Sequence, residues 1–166
     1  MKSRIQSPAE LYAHAIAIER EAAERYGEFA ERMEDEGRDD LARVFALLAR
    51  LEGEHLEALQ RRAAGIAVPE IAPGEHKWLD ARAPETAARE FLYRLMTPRY
   101  AIAIALRAER HAQAFFEQVF WTASDPALRA LAREMAAEER EHAALLAAML
   151  DETPEPSLDQ TVIFPS

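Results

Sequence analysis

Two short strings, one in each half of the chain, constrain most strongly what this sequence can fold into. Glu52 is followed three residues later by His55, and Glu139 is followed three residues later by His142. Both pairs lie in long stretches rich in alanine and leucine, where residues three apart share one face of an α-helix. Each Glu-x-x-His pair can therefore present two metal ligands from a single helix.

Composition favours one all-α domain. Hydrophobic residues make up 49% of the 166-residue chain, glycine occurs only five times, and the commonest residues are good helix formers. A chain of this length can bury a sizeable core. We assign residues 1–152 to a single domain and residues 153–166 to an extended C-terminal tail.

Charge and cysteine content exclude several classes of function. The formal net charge of -10 argues against nucleic acid as a partner. The absence of cysteine excludes disulfides, thiolate zinc sites and iron–sulfur clusters within this chain. The N-terminal residues lack the apolar run of a signal peptide, and no uncharged segment approaches membrane-spanning length. We therefore expect a cytoplasmic protein without a membrane partner.

Capping signals predict four long helices. Ser7-Pro8, Thr97-Pro98 and Asp125-Pro126 each combine a capping side chain with proline at the first helical position, and Asp39 or Asp40 can cap another helix. The predicted helices span residues 8–36, 39–64, 98–123 and 126–152, with Gly37 and Gly65 as stops, and a shorter helix spans residues 84–96.

The connection lengths predict a topology. The first and last connections are only a few residues long, whereas residues 65–97 separate the middle two long helices. Two antiparallel hairpins joined by one long crossover form a ferritin-like four-helix bundle. The two halves also match as a repeat, because Glu52 follows Glu19 by 33 residues and Glu139 follows Glu109 by 30.

Neighbouring residues decide which glutamates face the interior. The chain has 23 glutamates, so a single Glu-x-x-His string carries little weight. The residues three, four and seven positions from Glu19 are Tyr12, Ala15, Ile16, Ala22, Ala23 and Tyr26. Glu19 thus lies in an apolar stripe, whereas Glu21 faces water. Glu139 is preferred to Glu138, because the position matching Glu138 in the first half is Leu51.

These positions together predict a two-metal site. Four carboxylates that point into an apolar interior without arginine or lysine on the same face need neutralisation by metal or by protons. Two divalent ions would balance four carboxylates, and the histidines would coordinate as neutral rings. The predicted ligands are Glu19, Glu52, His55, Glu109, Glu139 and His142.

Other polar residues have weaker claims to a role. Tyr26 lies two turns beyond Glu19 on the same helix face. It is either a core side chain or a phenol that serves catalysis through a hydrogen bond or electron transfer. Its counterpart in the second half is Phe116, which can do neither. His14 and His111 fall outside the ligand stripe, and His76 has no evident partner.

The chain resembles the rubrerythrin branch of the ferritin-like di-iron proteins. The resemblance rests on residues 15–26, with glutamate seven before tyrosine, and on the Glu-x-x-His helices at residues 49–55 and 136–142. It implies two irons bridged by carboxylates, reaction with hydrogen peroxide or dioxygen, and a homodimer. The ligands suit manganese as well as iron.

Three departures from that family bear on function. The rubredoxin module is absent, so a separate electron-donor protein is implied. Ala112 stands where the family has an additional glutamate. Phe116 stands where the family has a second tyrosine. Three alternatives to a di-iron peroxidase or oxidase stay open. They are an iron-handling ferroxidase, a dimanganese catalase-like site, and an interaction bundle with a vestigial site whose apolar tail, residues 161–164, contacts a partner.

Overall fold

Four long helices make up most of the part of the chain that the structure describes. The computed structural model describes residues 4–71 and 97–153, and within them the helices are α1 (Pro8–Asp35), α2 (Asp39–Arg62), α3 (Pro98–Thr122) and α4 (Pro126–Glu152). The all-α prediction is confirmed, with helix ends within two residues of those expected. The short helix predicted over residues 84–96 and the tail from residue 154 onward lie outside the described residues.

Side-chain caps start three of the four helices as predicted. Ser7 Oγ accepts a hydrogen bond from the backbone N–H of Glu10 at 3.2 Å, and Thr97 Oγ1 accepts one from Tyr100 at 3.1 Å. Asp125 Oδ1 likewise accepts from Ala127 at 3.1 Å. Each bond satisfies an N–H group that has no partner inside its helix.

The cap predicted for α2 is wrong. Its N-cap residue is Arg38, whose side chain makes no capping hydrogen bond, and Asp39 and Asp40 occupy the first turn instead. Their carboxylates there face the positive end of the helix dipole, which favours negative charge without a cap.

A tight turn makes α1 and α2 antiparallel. Gly37 adopts φ +73°, a left-handed conformation that glycine reaches without steric cost. The backbone N–H groups of Gly37 and Arg38 donate to the carbonyls of Glu34 and Met33 at 3.0 and 2.8 Å. These two bonds form a Schellman motif, which closes α1 and reverses the chain at the predicted stop.

Contacts between the helices establish the ferritin-like topology. Arg99, at the start of α3, donates to the carbonyl of Leu150 near the end of α4, so these helices run antiparallel. Arg62, at the end of α2, reaches Glu134 in the first half of α4, while His55 stacks on His142 further along. Since α2 is also antiparallel to α4, α2 and α3 run in the same direction and cannot be joined by a tight turn.

All four helices contribute to one core. The side chains with least exposure include Leu11 and Tyr26 of α1, Leu48 of α2, Phe116 of α3 and Met135 of α4. Apolar burial of this extent is the main favourable contribution to folding. None of the helices described has the length and apolar character that crossing a membrane requires.

Candidate metal centre

Each of the four helices places one glutamate in the middle of the core. Glu19, Glu52, Glu109 and Glu139 are each 4% exposed, and they are the buried charged residues of the described parts of the chain. Their burial follows from the sequence, because each lies in the apolar stripe of its own helix. Burying a carboxylate is costly unless another charge or hydrogen bonds compensate it.

The six predicted ligands form two adjacent clusters. In the first cluster (Glu19, Glu52 and His55) one ligand atom from each residue lies within 4.8 Å of the others, and the same holds in the second cluster (Glu109, Glu139 and His142). The rings of His55 and His142 stack with 3.4 Å between their centroids and 2° between their planes. Residues from opposite halves of the chain thus meet at one place.

Distances within the clusters suit ligands of a shared ion. His55 Nδ1 lies 3.8 Å from Glu19 Oε2 and 3.8 Å from Glu52 Oε2. His142 Nδ1 lies 3.7 Å from Glu109 Oε2 and 3.6 Å from Glu139 Oε2. These separations are too long for hydrogen bonds. Two atoms that bind one ion at about 2.1 Å each are separated by about 3–4 Å, which is the spacing found here.

Several of these ligand atoms have no hydrogen-bond partner. Glu19 Oε2, Glu139 Oε2 and the Nδ1 atoms of His55 and His142 are all buried and unpaired. An unsatisfied buried polar atom costs about 1–3 kcal/mol, and more where it carries charge. Four such atoms concentrated in two clusters are accounted for if each cluster holds a cation, so the residues present fit a pair of metal ions.

Within each cluster, the two carboxyl groups have opposite pKa shifts. Burial and the neighbouring carboxylates raise the pKa of Glu19 and that of Glu109 well above the usual range. Burial also acts to raise the pKa of Glu52 and Glu139, but interactions with the protonated partner carboxyl and the adjacent histidine outweigh it. The pKa of Glu52 falls to about 2, and that of Glu139 is also lowered. The metal-free clusters therefore reduce their charge by holding protons.

Comparison with known proteins identifies the family. A sequence profile described as rubrerythrin matches residues 10–150, which is most of the chain. The chain belongs to the rubrerythrin family. The crystal structure of an uncharacterized conserved protein from Magnetospirillum magnetotacticum MS-1 is similar at 34% identity and a TM-score of 0.72, covering 92% of this chain and 99% of that one. No curated protein matches.

For this rubrerythrin-family chain, the structure separates the clusters from the competing side chains. Glu21 forms an ion pair with Arg25 at 3.3 Å, and Glu138 accepts a hydrogen bond from Arg62 at 2.8 Å. Both glutamates lie outside the two clusters, in agreement with the sequence prediction. His111 is exposed, also as predicted, and His76 lies outside the described residues.

Tyr26 lies deep in the core beside the rubrerythrin-like site. Its side chain is 2% exposed and stacks on Phe45 with 6.2 Å between ring centroids. Burial and the carboxylates of Glu52, Glu109 and Glu19 raise the pKa of the Tyr26 phenol. The phenol is therefore held protonated within the negative field of the site. Phe116 is equally buried in the other half.

Sequence reasoning missed the ion network that flanks the histidine pair. Arg62 donates from its two terminal nitrogens to Glu138 and, at 2.6 Å, to Glu134, which links α2 to α4. Matching the two halves by their Glu-x-x-His strings places Leu47 and Leu51 at the positions of Glu134 and Glu138. That difference between the halves could have indicated a polar contact at Glu134 and Glu138, although it does not identify Arg62 as their partner.

Proposed function

We propose that this chain is a di-iron oxidoreductase that reduces hydrogen peroxide or dioxygen and is recharged by a separate electron-donor protein. The observation that carries the proposal is the convergence of two Glu-Glu-His clusters in which four buried ligand atoms lack hydrogen-bond partners. Membership of the rubrerythrin family supports the choice of iron and of an oxygen-derived substrate.

Charge balance fits two divalent ions when all four carboxylates are ionised. The four carboxylates carry four negative charges when ionised, and two divalent ions bring the site to neutrality with both histidines uncharged. Glu52 with His55 and Glu139 with His142 would each hold one ion, and Glu19 and Glu109 would complete or bridge the pair. A neutral total is what a core of this apolarity requires.

When bound, two ferrous ions would supply one electron each to hydrogen peroxide, whose O–O bond breaks with uptake of two protons to give two waters. The protein's own residues prepare the site for this reaction. The buried glutamates provide negative ligands that favour the ferric state, and the surrounding apolar side chains shield these carboxylates from bulk water. Tyr26 keeps a phenolic proton next to the carboxylates, where it can donate a hydrogen bond as their coordination changes.

The test is rapid mixing of the ferrous-loaded protein with hydrogen peroxide under anaerobic conditions, followed by the absorption of the ferric product. We expect fast oxidation in the wild type and its loss in Glu52→Ala. Glu54→Ala is the matched control, because Glu54 lies two residues away on the exposed face of α2. Equal rates in all three proteins would contradict the proposal.

Carboxylate and imidazole ligands also suit manganese, so a dimanganese site is the second candidate. Metal analysis of protein purified from its native source separates the two. Aerobic iron loading tests the further alternative of iron handling. Uptake that stops at two irons per chain supports the redox enzyme, and uptake far beyond two indicates a storage function.

A further inference from the structure

The histidine pair lies in a seam between α2 and α4 that continues in both directions beyond the stacked rings. In one direction the seam leads to Arg62 of α2 and Glu134 and Glu138 of α4. In the other direction it leads to leucines of both helices. The two directions lie on opposite sides of the stacked pair along the helices.

The arginine side of the seam is bridged by an ion network of three residues. The guanidinium of Arg62 donates 2.8 Å to Glu138 and 2.6 Å to Glu134, which occupy successive turns of α4. A guanidinium bonded to two carboxylates is held in one orientation by charge-assisted hydrogen bonds, and the three groups together carry a net negative charge. A small neutral molecule gains nothing by displacing these bonds.

The leucine side of the seam contains a cavity that reaches the site. Its volume is about 30 Å³, which is the space of about one water molecule. Four of the six ligand residues and four leucines line it. The leucines are Leu48, Leu51, Leu145 and Leu146. Because Leu145 is 48% exposed, the leucine wall extends from the surface to the ligand residues.

The sequence encodes this difference between the two sides. Matching the halves pairs Arg62 with Met149, and it pairs Glu134 and Glu138 with Leu47 and Leu51. A bundle with the same residues in both halves would have two equivalent approaches. Here each member of the ion network corresponds to an apolar residue in the other half of the chain, and one of these residues, Leu51, lines the cavity.

We propose that the leucine-lined cavity is the entry route for the oxidant, and that Leu145 and Leu51 set the size of molecule that can enter. The route fits a small uncharged oxidant, hydrogen peroxide or dioxygen, since the four leucines of its wall disfavour ions and its volume excludes larger molecules. This inference rests on the proposed function for the identity of the oxidant.

The experiment compares hydrogen peroxide with the bulkier tert-butyl hydroperoxide on the ferrous-loaded protein. In Leu145→Ala we expect the rate with the bulky oxidant, relative to hydrogen peroxide, to rise at least tenfold. Leu145→Phe should lower that ratio. Leu145 is half exposed, so neither change removes a core side chain. Arg62→Met is the matched control on the arginine side and should leave the ratio unchanged.

A second readout needs no metal. Diethyl pyrocarbonate modifies accessible histidines, and peptide mass spectrometry reports the modification of His55 and His142 in the metal-free protein. We expect Leu145→Ala to speed this modification severalfold and Arg62→Met to leave it unchanged. If the Leu145 variants behave as the wild type, or if Arg62→Met has the larger effect, the route is wrong. If the wild type ignores hydrogen peroxide, the proposed function fails while the modification assay still tests the route.

Discussion

The imidazole rings of His55 and His142 stack face to face with 3.4 Å between their centroids. Each ring turns its Nδ1 atom toward the two carboxylates of its own cluster, at 3.6–3.8 Å. The stack therefore joins the clusters and marks the centre of their approximate two-fold relation. Coordination through Nδ1 would use the neutral form of each ring.

Metal binding should stabilise the fold. At a free manganese(II) concentration of a hundred times the dissociation constant, we expect about 2.7 kcal/mol of added stability, or about 5–10 °C in melting temperature. The measurement is thermal unfolding with manganese(II) and with chelator. Glu139→Ala, which removes a ligand of one of the two ions, should lose a large part of the shift, and Glu141→Ala, which changes an exposed residue of the same helix, should keep it. A full shift retained in Glu139→Ala would show that the stabilising ions lie elsewhere.

Metal uptake should release protons. Burial and neighbouring carboxylates raise the pKa of Glu19 and Glu109, so both are protonated in the metal-free protein near neutral pH. Two bound ions should displace about two protons per chain, and the affinity should fall as the pH is lowered. A pH indicator in weakly buffered protein titrated with manganese(II) measures the release. Uptake with no proton release would contradict the assigned protonation.

Replacing Tyr26 with phenylalanine should affect the reaction more than the fold. Phe116 occupies the corresponding position in the other half, so the core accommodates that ring. We expect Tyr26→Phe to keep two metals per chain and to react with hydrogen peroxide about tenfold more slowly, because the variant cannot donate the hydrogen bond to a carboxylate that is proposed for the reaction. Tyr12→Phe, another buried tyrosine of α1, is the control. Unchanged kinetics in Tyr26→Phe would assign Tyr26 to packing alone.

Two glycines of the first hairpin should respond to alanine with opposite signs. Neither has an atom within 4 Å of an added Cβ, so backbone conformation decides the outcome. Gly27 lies inside α1, where alanine should stabilise by about 0.5–1 kcal/mol. Gly37 has φ +73°, where alanine should destabilise by about 1–2 kcal/mol. Chemical denaturation of the two variants measures both, and changes of the same sign would contradict the turn geometry.

Local sequence patterns contain most of the information that specifies the site. The apolar neighbours of Glu19 and the leucine at position 51 were sufficient to choose the buried glutamates, because side-chain direction in a helix follows from spacing alone. The same patterns located three helix starts, since a capping residue bonds within its own first turn.

Those local patterns could not predict contacts between residues that are far apart in the chain. The stacking of His55 on His142 depends on the position of one hairpin relative to the other along the bundle axis, and no local sequence spacing determines that position. The bonds from Arg62 to Glu134 and Glu138 likewise join residues far apart in the chain. The missing cap at Arg38 shows a further limit, because the turn geometry of the preceding Schellman motif determined where α2 begins.

The central claim is that the two clusters hold two metal ions in one site. The most direct measurement is an anomalous difference map from a crystal of the protein loaded with iron or manganese. We predict two peaks in the core of each chain, one within coordination distance of His55 Nδ1 and the other within coordination distance of His142 Nδ1. A single peak, or peaks only outside the two clusters, would contradict the account.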